Sequence, residues 1–334
     1  MDLIDKVARL DRLTLANLPT PIQRLDRISS ELGKSIWLKR DDLTGAETSG
    51  NKIRKLEYTL ARALKEGADV VITAGGIQSN HARATAAAAA RLGLKAHLVL
   101  DISKEPSLEG NYLLDKILGA EISLLNEKEE GKDLDEKMQE LADIYRQQGK
   151  RPFIIPVGAS DGIGNFGYVR CASEIEQQEN SLGVKFDAFV CATGSGGTYS
   201  GLYIGNKIYG LNKKIVGITV CDNRDYFQRK CSSIVDETMC LLGTDTIDKD
   251  FSFIDGYKGR GYAISKEDEL KFISKVARTE GVILDPVYTG KAFYGLYQEI
   301  QKGHFDDCEN ILFIHTGGLC GLFPKQEQFA EFLL

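Results

Sequence analysis

The sequence predicts an α/β protein built from open, parallel-type sheets flanked by helices. Three observations point there. Short runs rich in Val, Ile and Leu alternate with helical stretches along the chain, as in sheets covered on both faces. Polar or glycine-rich turns follow the strands at Gly75–His81, Gly158–Gly167, Thr193–Thr198 and Thr316–Gly318. At 334 residues the chain exceeds what one small core organises, so two domains are expected, with the chain crossing between them more than once.

Residues 1–20 read as helical until Pro19 and Pro21. Ile36–Arg40 alternates as a strand, and 41–50 is a polar loop. The next helix runs from Lys52 to about Glu66, because Ile53, Leu56, Leu60 and Leu64 recur at three and four. Ser49, Gly50 and Asn51 supply its cap and turn. Asp69–Thr73 is a β-branched strand, 82–92 an alanine-rich helix, and Ala96–Leu100 a strand. A helix at 108–118 and a strand at Glu121–Leu125 follow. The charged stretch 127–150 reads as a solvated helix, and Phe153–Val157 as a strand. A helix from Tyr168 to about Glu179 precedes the strand Asp187–Ala192, a helix from Thr198, and the strand Ile215–Cys221. Region 222–262 reads as irregular. Helices at 265–280 and 290–302 and a buried strand at Ile311–His315 complete the pattern.

Forty-two basic against 48 acidic residues give a net charge of −6, which argues against nucleic-acid and membrane-surface roles. No apolar run approaches the ~18 residues a membrane span needs. The acidic start Met1–Asp5 does not read as a signal peptide. Seven cysteines without a C-x-x-C pair read as reduced thiols of a cytoplasmic protein. The four histidines never fall at zinc spacing, so no metal is expected.

Lys52 opens a helix, near the positive end of the macrodipole, where cations are disfavoured. It is either a solvated surface lysine or an amine of depressed pKa able to act as a nucleophile. Gly194, Ser195, Gly196, Gly197 and Thr198 lie between a strand and a helix, so backbone and hydroxyl donors can wrap one phosphate. The loop lacks the Gly-Lys-Ser/Thr of a nucleoside-triphosphate site. Gly162-Ile163-Gly164-Asn165-Phe166-Gly167 matches the dinucleotide fingerprint, but the acid ~20 residues on, Asp187, opens the next strand instead of ending it. A structural turn is the better account. Asn80 is suited to a ring hydroxyl and Ser79 to a substrate carboxylate, although either can equally cap the alanine-rich helix. His81 reads as packing or capping. Tyr262 and Tyr288 are flanked by glycines or turn residues, where a phenol can face a pocket. Arg54 and Lys291 read as solvated or ion-paired, and Lys55 and Glu57 as ordinary helix charges.

A candidate nucleophilic lysine, a one-phosphate loop and an asparagine loop together suggest pyridoxal 5'-phosphate. Ser-Gly-Asn-Lys-x-Arg-Lys-Leu-Glu at 49–57 resembles the D-cysteine desulfhydrase and 1-aminocyclopropane-1-carboxylate (ACC) deaminase group of fold-type II, tryptophan synthase β-like enzymes. So do Gly-Gly-Ile-Gln-Ser-Asn-His at 75–81, Gly-Ser-Gly-Gly-Thr at 194–198, Leu-Asp-Pro-Val-Tyr at 284–288 and Ile-His-Thr-Gly-Gly at 314–318. The resemblance spans nearly the whole chain, and Ser49 places it nearest the plant-type desulfhydrases. Departures are Ala159, where many relatives have glycine, and Pro324-Lys325 after the last glycine motif.

The resemblance implies a Schiff base at Lys52, a ring-oxygen contact from Asn80, phosphate binding by Gly194 to Thr198, and a pyridine-nitrogen contact from Thr316. Ser79, Tyr262 and Tyr288 would line the substrate side. It implies a small domain, 55–164, inserted in a large one, 1–54 and 165–334, and a homodimer. The implied reaction is β-elimination of D-cysteine to pyruvate, hydrogen sulfide and ammonia. ACC deamination and elimination from L-cysteate are the alternatives. ACC deaminases carry a glutamate at the position of Thr289 and a leucine at that of Thr316, so these two threonines are expected to set substrate selectivity. Lys52 itself argues against a pseudoenzyme that only binds a ligand.

Overall fold

The computed structural model describes residues 2–126, 133–261 and 263–334. In chain order its elements are α1 (Leu3–Ala8), β1 (Ile22–Arg24), α2 (Asp26–Leu32), β2 (Ser35–Arg40), α3 (Lys52–Lys65), β3 (Val70–Gly76), α4 (Asn80–Leu92), β4 (Lys95–Asp101), α5 (Gly110–Ile117) and β5 (Glu121–Leu125). There follow α6 (Leu134–Gln147), β6 (Pro152–Ile154), α7 (Phe166–Leu182), β7 (Ala188–Thr193), α8 (Gly197–Ile208), β8 (Lys214–Thr219), α9 (Arg224–Leu241) and β9 (Ser252–Ile254). The last four are α10 (Glu267–Glu280), α11 (Thr289–Gln301), β10 (Asn310–His315) and α12 (Gln326–Leu333).

The strands form two sheets. One has six strands in the order β1-β2-β10-β7-β8-β9, and the other four in the order β5-β4-β3-β6. All neighbours pair in parallel except β1 with β2. Both faces of the larger sheet are apolar. Along β10, Ile311 and Phe313 join the core under α10 and α11, while Leu312 and Ile314 join the core under α7 and α8. The smaller sheet divides in the same way, with Val71 and Leu98 toward α3 and α4, and Val70 and Ile72 toward Met138 and Leu141 of α6.

Helix α3 lies between the two sheets' helical layers. Its apolar residues Ile53, Leu56 and Leu60 join the smaller sheet's core, and Gly167 of α7 abuts the Arg54 carbonyl so closely that a Cβ there would stand 2.4 Å from it. Every residue from Ile53 to Ala61 is therefore buried, including three charged ones. Arg54 donates to Asp41 Oδ1 and Oδ2, each at 2.8 Å, and to both oxygens of Glu174. Lys55 donates to the Gly158 carbonyl at 2.9 Å and to Ser160 Oγ at 2.8 Å. Glu57 accepts from the backbone N–H groups of Leu15 and Ala16 and from Arg12. These are not ordinary helix charges. A lysine or arginine this deep persists only with partners, and Arg54, Lys55 and Glu57 have them.

The same packing explains other departures. Among the described residues of the first twenty, only Leu3–Ala8 is helical, because the N–H groups of Leu13, Leu15 and Ala16 go to Glu57 and not to a helix of their own. Region 222–262 is not irregular: Asn223 accepts from Tyr226 N to cap the eighteen-residue α9, and β9 follows. Helix α7 starts at Phe166 and ends at Leu182, two and three residues beyond the expected limits, with Gly183 capping it in the left-handed conformation. Of the helix expected at 127–150, residues 127–132 lie outside those described, and α6 begins at a capping box between Asp133 and Glu136. The glycine turn at 162–167 is sewn to the protein itself, with Gly162 N on Glu237 and Gly164 N on Asp161, while Asp187 accepts from Glu309 N and Asn310 N.

Removing one member of the Arg54–Asp41 pair leaves a buried charge without compensation. Arg54→Ala is therefore expected to destabilise the protein by about 3–5 kcal/mol in denaturant titrations. A loss below about 1 kcal/mol, the range of an exposed pair, would contradict the burial described.

Candidate active site

The carboxyl ends of β3, β4, β7 and β10 and the N-termini of α3, α4 and α8 surround one cavity of about 390 Å³. Open α/β sheets take their ligands at this kind of place. Lys52, Ser79, Asn80, Gly194, Ser195, Gly196, Thr198, Tyr288 and Thr316 all line it. Gly197 and Thr289 are not part of that lining, and Tyr262 lies outside the described residues.

Lys52 is the first residue of α3, and its position is set by backbone contact. Asn51 N donates to the Thr316 carbonyl at 3.1 Å. Gly50 (φ +108°) and Gly317 (φ +82°) meet there, and a Cβ on Gly50 would lie 2.8 Å from the Thr316 carbonyl oxygen. Only glycine permits that approach. Asn51 caps nothing. Its Nδ2 reaches Thr198 Oγ1 at 2.9 Å and its Oδ1 accepts from Lys52 Nζ at 3.2 Å, linking the lysine to the glycine loop. The lysine ammonium also stands 6.0 Å from the centre of the Tyr288 ring. Burial lowers the Lys52 pKa to about 8, against the opposing charge of Asp285.

The loop at 194–198 ends in α8, whose unpaired N–H groups face the cavity end. Gly196 is left-handed (φ +85°), and a Cβ on Gly197 would stand 2.7 Å from Lys55 Nζ and 2.8 Å from Ser160 Oγ. Gly197 thus backs onto a buried lysine. Ser160 Oγ donates in turn to Ser195 Oγ at 2.7 Å, so a chain of donors runs from Lys55 to the loop. Among the described residues Lys55 makes no ion pair. Burial, and then the charge of Lys52, hold its pKa well below the usual lysine value. A buried cation with only neutral partners, set behind a ring of N–H donors, is complementary to an anion.

On the opposite wall, Ser79 caps α4 by accepting from Ala82 N at 3.1 Å, which leaves its hydroxyl hydrogen for the cavity. Asn80 accepts through Oδ1 from Asn111 Nδ2 at 2.9 Å. His81 also lines the cavity. Thr73 gives its single hydroxyl hydrogen to the Ile155 carbonyl, so His81 Nε2, 2.7 Å from Thr73 Oγ1, must be the donor there. Nδ1 is then a bare acceptor, and among the described residues it is buried without a partner. Burial, with the charges of Lys52 and Lys55, keeps this imidazole neutral by lowering its pKa well below the usual value.

Thr289 is fully buried and hydrogen-bonded to Asp285, which also accepts from the N–H groups of Val287, Tyr288 and Thr289. Burial raises the Asp285 pKa in spite of these bonds. Lys291, on the same helix, is neither solvated nor ion-paired by contact: its ammonium closes on the carbonyls of Lys258, Gly261 and Ile264. Lys55, His81 and Asp285 are the groups that sequence reasoning passed over. Their signal, a polar residue facing inward, appears only once α3, α4 and the turn into α11 are placed.

A family model described as pyridoxal-phosphate dependent enzyme matches residues 13–317. The chain is 44% identical over 331 residues to the bifunctional D-cysteine desulfhydrase/1-aminocyclopropane-1-carboxylate deaminase, mitochondrial, of Arabidopsis thaliana, covering 96% of this chain and 81% of that protein. It is 40% identical over 333 residues to a D-cysteine desulfhydrase of Yersinia enterocolitica, covering 98% and 100%. A crystal structure of an ACC deaminase homologue superposes with a TM-score of 0.92 at 43% identity, covering 99% of each chain.

Pyridoxal phosphate fits what the cavity offers. Lys52 would supply the amine, and the 194–198 loop with Lys55 behind it would supply the cradle for the phosphate. Lys55→Met tests that cradle by two separable effects. Removing a buried ammonium that has no ion pair relieves its desolvation but forfeits its bonds to Gly158 and Ser160, so the cofactor-free protein is expected to stay folded with little change in stability. Losing a charge-assisted phosphate contact is expected to raise the cofactor Kd about tenfold or more. Unchanged cofactor affinity in the folded variant would show that Lys55 is not part of the cradle.

Proposed function

The chain belongs to the pyridoxal-phosphate-dependent enzyme family, and within it we propose that it converts D-cysteine and water to pyruvate, hydrogen sulfide and ammonia. The observation that supports this substrate over ACC is Thr289, whose hydroxyl is bound to Asp285 at 2.7 Å. No second carboxylate stands at that position. A carboxylate near the pyridine nitrogen favours the cationic ring, a stronger electron sink. Expelling carbon from a cyclopropane calls for such a sink. Expelling a thiolate does not, since a cysteine thiol has a pKa near ~8.5.

When bound, pyridoxal phosphate supplies a carbonyl that condenses with amines and a sink that acidifies the hydrogen beside the amino group. Lys52 would hold that carbonyl through Nζ, its lowered pKa keeping part of the amine neutral near physiological pH. Gly194 to Thr198 would bind the phosphate, with Lys55 opposing its charge. Asn80 would meet the ring oxygen and Thr316 the ring nitrogen. Ser79 would donate its hydroxyl hydrogen to the substrate carboxylate, and Tyr288 would close the substrate side.

The proposal extends to organisation. A large unit of 1–54 and 165–334 and a small unit of 55–164 are supported by the origin of the smaller sheet in residues 70–154. The boundary at 54 falls inside α3, which the two units share. Closure of the small unit over substrate would exclude water from reactive species. A cytoplasmic location is supported by seven cysteines that are all free. No described helix is long and apolar enough to cross a membrane. A homodimer is proposed from the family alone.

The test is kcat/KM for D-cysteine, L-cysteine, L-cysteate and ACC, with the double variant Thr289→Glu/Thr316→Leu alongside the unaltered protein. The unaltered protein is expected to release sulfide from D-cysteine and to turn over little ACC. The double variant is expected to move toward ACC. A preference of the unaltered protein for ACC or cysteate would overturn the substrate assignment, and a variant with unchanged preference would overturn the role given to the two threonines.

A further inference from the structure

A chain of fixed hydrogen-bond polarities ends at Asn80. It begins with Arg83, a buried guanidinium that can only donate. Arg83 Nε donates to Asn111 Oδ1 at 3.0 Å, so the amide of Asn111 has one possible orientation. Its Nδ2 therefore faces the Gln78 carbonyl and Asn80 Oδ1, each at 2.9 Å. Asn80 Oδ1 is thereby engaged, and its NH2 group is the part that faces away from Asn111. A Cβ on Gly318 would lie 3.1 Å from that nitrogen, which places it beside the 316–318 loop. Gln78 closes the arrangement independently. Its Oε1 accepts from Asn111 N at 2.8 Å and its Nε2 donates to the Glu109 carbonyl at 3.1 Å, both groups of a single polarity.

Arg83 does a second thing. Its two remaining nitrogens bond to the carbonyls of Glu47 and Ser49, the loop that delivers Lys52. One buried arginine thus ties the lysine's loop to the amide across the cavity.

We propose that Asn111 and Arg83 are positioning residues that hold Asn80 with its NH2 group toward the cofactor's ring oxygen, so that the oxygen is bound as a hydrogen-bond acceptor. This rests on the pyridoxal phosphate reading above and adds the groups that impose its polarity. Without them the Asn80 amide is free to turn and present its carbonyl, which would meet the ring oxygen with two acceptors face to face. Asn111 is at the second position of α5, far in sequence from every motif of the site.

Asn111→Asp tests this with little change of shape. The new carboxylate pairs with Arg83, and any excess proton goes to Asp115 one turn on, which burial already raises to about 7 against the pull of Arg83. An acceptor now faces Asn80 and reverses its amide. Three readouts are made without substrate: thermal stability of cofactor-free protein, the cofactor Kd by fluorescence, and the pH midpoint of the bound cofactor's visible spectrum. The variant is expected to stay folded, to bind cofactor about tenfold more weakly, the cost of one lost hydrogen bond to a charged acceptor, and to move the spectral midpoint upward by about one pH unit. Asn111→Ser, which frees the amide without reversing it, should fall between. In an Asn80→Ala background Asn111→Asp should change neither quantity further. A folded Asn111→Asp protein with unaltered Kd and midpoint overturns the proposal, as does an equal effect with and without Asn80. Because no turnover is measured, failure of the D-cysteine assignment leaves these outcomes readable. A parent protein that takes up no pyridoxal phosphate overturns both readings.

Discussion

From Ile53 to Ala61 helix α3 is buried on every side, and the structure depends on how its charges are met. An amphipathic surface helix would leave Arg54, Lys55 and Glu57 in water. Here each is matched to a partner from a different part of the chain: Arg54 to Asp41 and Glu174, Lys55 to the 158–160 turn, Glu57 to the backbone before β1. Desolvation makes any mismatch costly, so these contacts specify how α3 seats between the two sheets. Lys52 at its N-terminus inherits that placement.

The charges at the site follow from the same burial. Two lysines, the N-terminus of α8 and a neutral His81 face the cavity or stand just behind it, with Asp285 fully buried nearby and the part-exposed carboxylates Asp101 and Asp222 also in the lining. The glycine loop with Lys55 behind it offers donors to an anionic group, and Lys52 offers an amine nucleophile. Burial lowers both lysine pKa values, but their partners separate the roles. Lys52 is open to the cavity and has one weak acceptor in Asn51, whereas Lys55 is held by two oxygens behind the loop. One is placed to react and the other to attract.

Most of the fold was legible because parallel strands covered on both faces are continuous apolar runs. Ile311–His315 and Asp187–Ala192 announce themselves that way. Helix α9 was equally legible and was missed: Phe227, Cys231, Ile234, Val235, Thr238 and Met239 form a helical stripe behind the capping Asn223, but the polar residues between them obscure it. The glycine loops and Lys52 could be read since their chemistry is local. Lys55, Glu57 and Arg54 could not, because charged residues on a helix look solvated until the helix is known to be enclosed. The N-terminal segment failed for the same reason, its donors being taken by Glu57 from outside. Thr289 shows a further limit: the family resemblance singles out the position, but its bond to Asp285 appears only in the structure.

The central claim is that one lysine among several, chosen by its seat at the buried start of α3, bonds the cofactor. Borohydride reduction of the purified protein loaded with pyridoxal phosphate, followed by peptide mapping, tests it directly. The account predicts a yellow protein that loses its visible band on reduction, with the label fixed on Lys52. A label on Lys55, whose ammonium is closed behind the glycine loop, or on an exposed lysine, would contradict it.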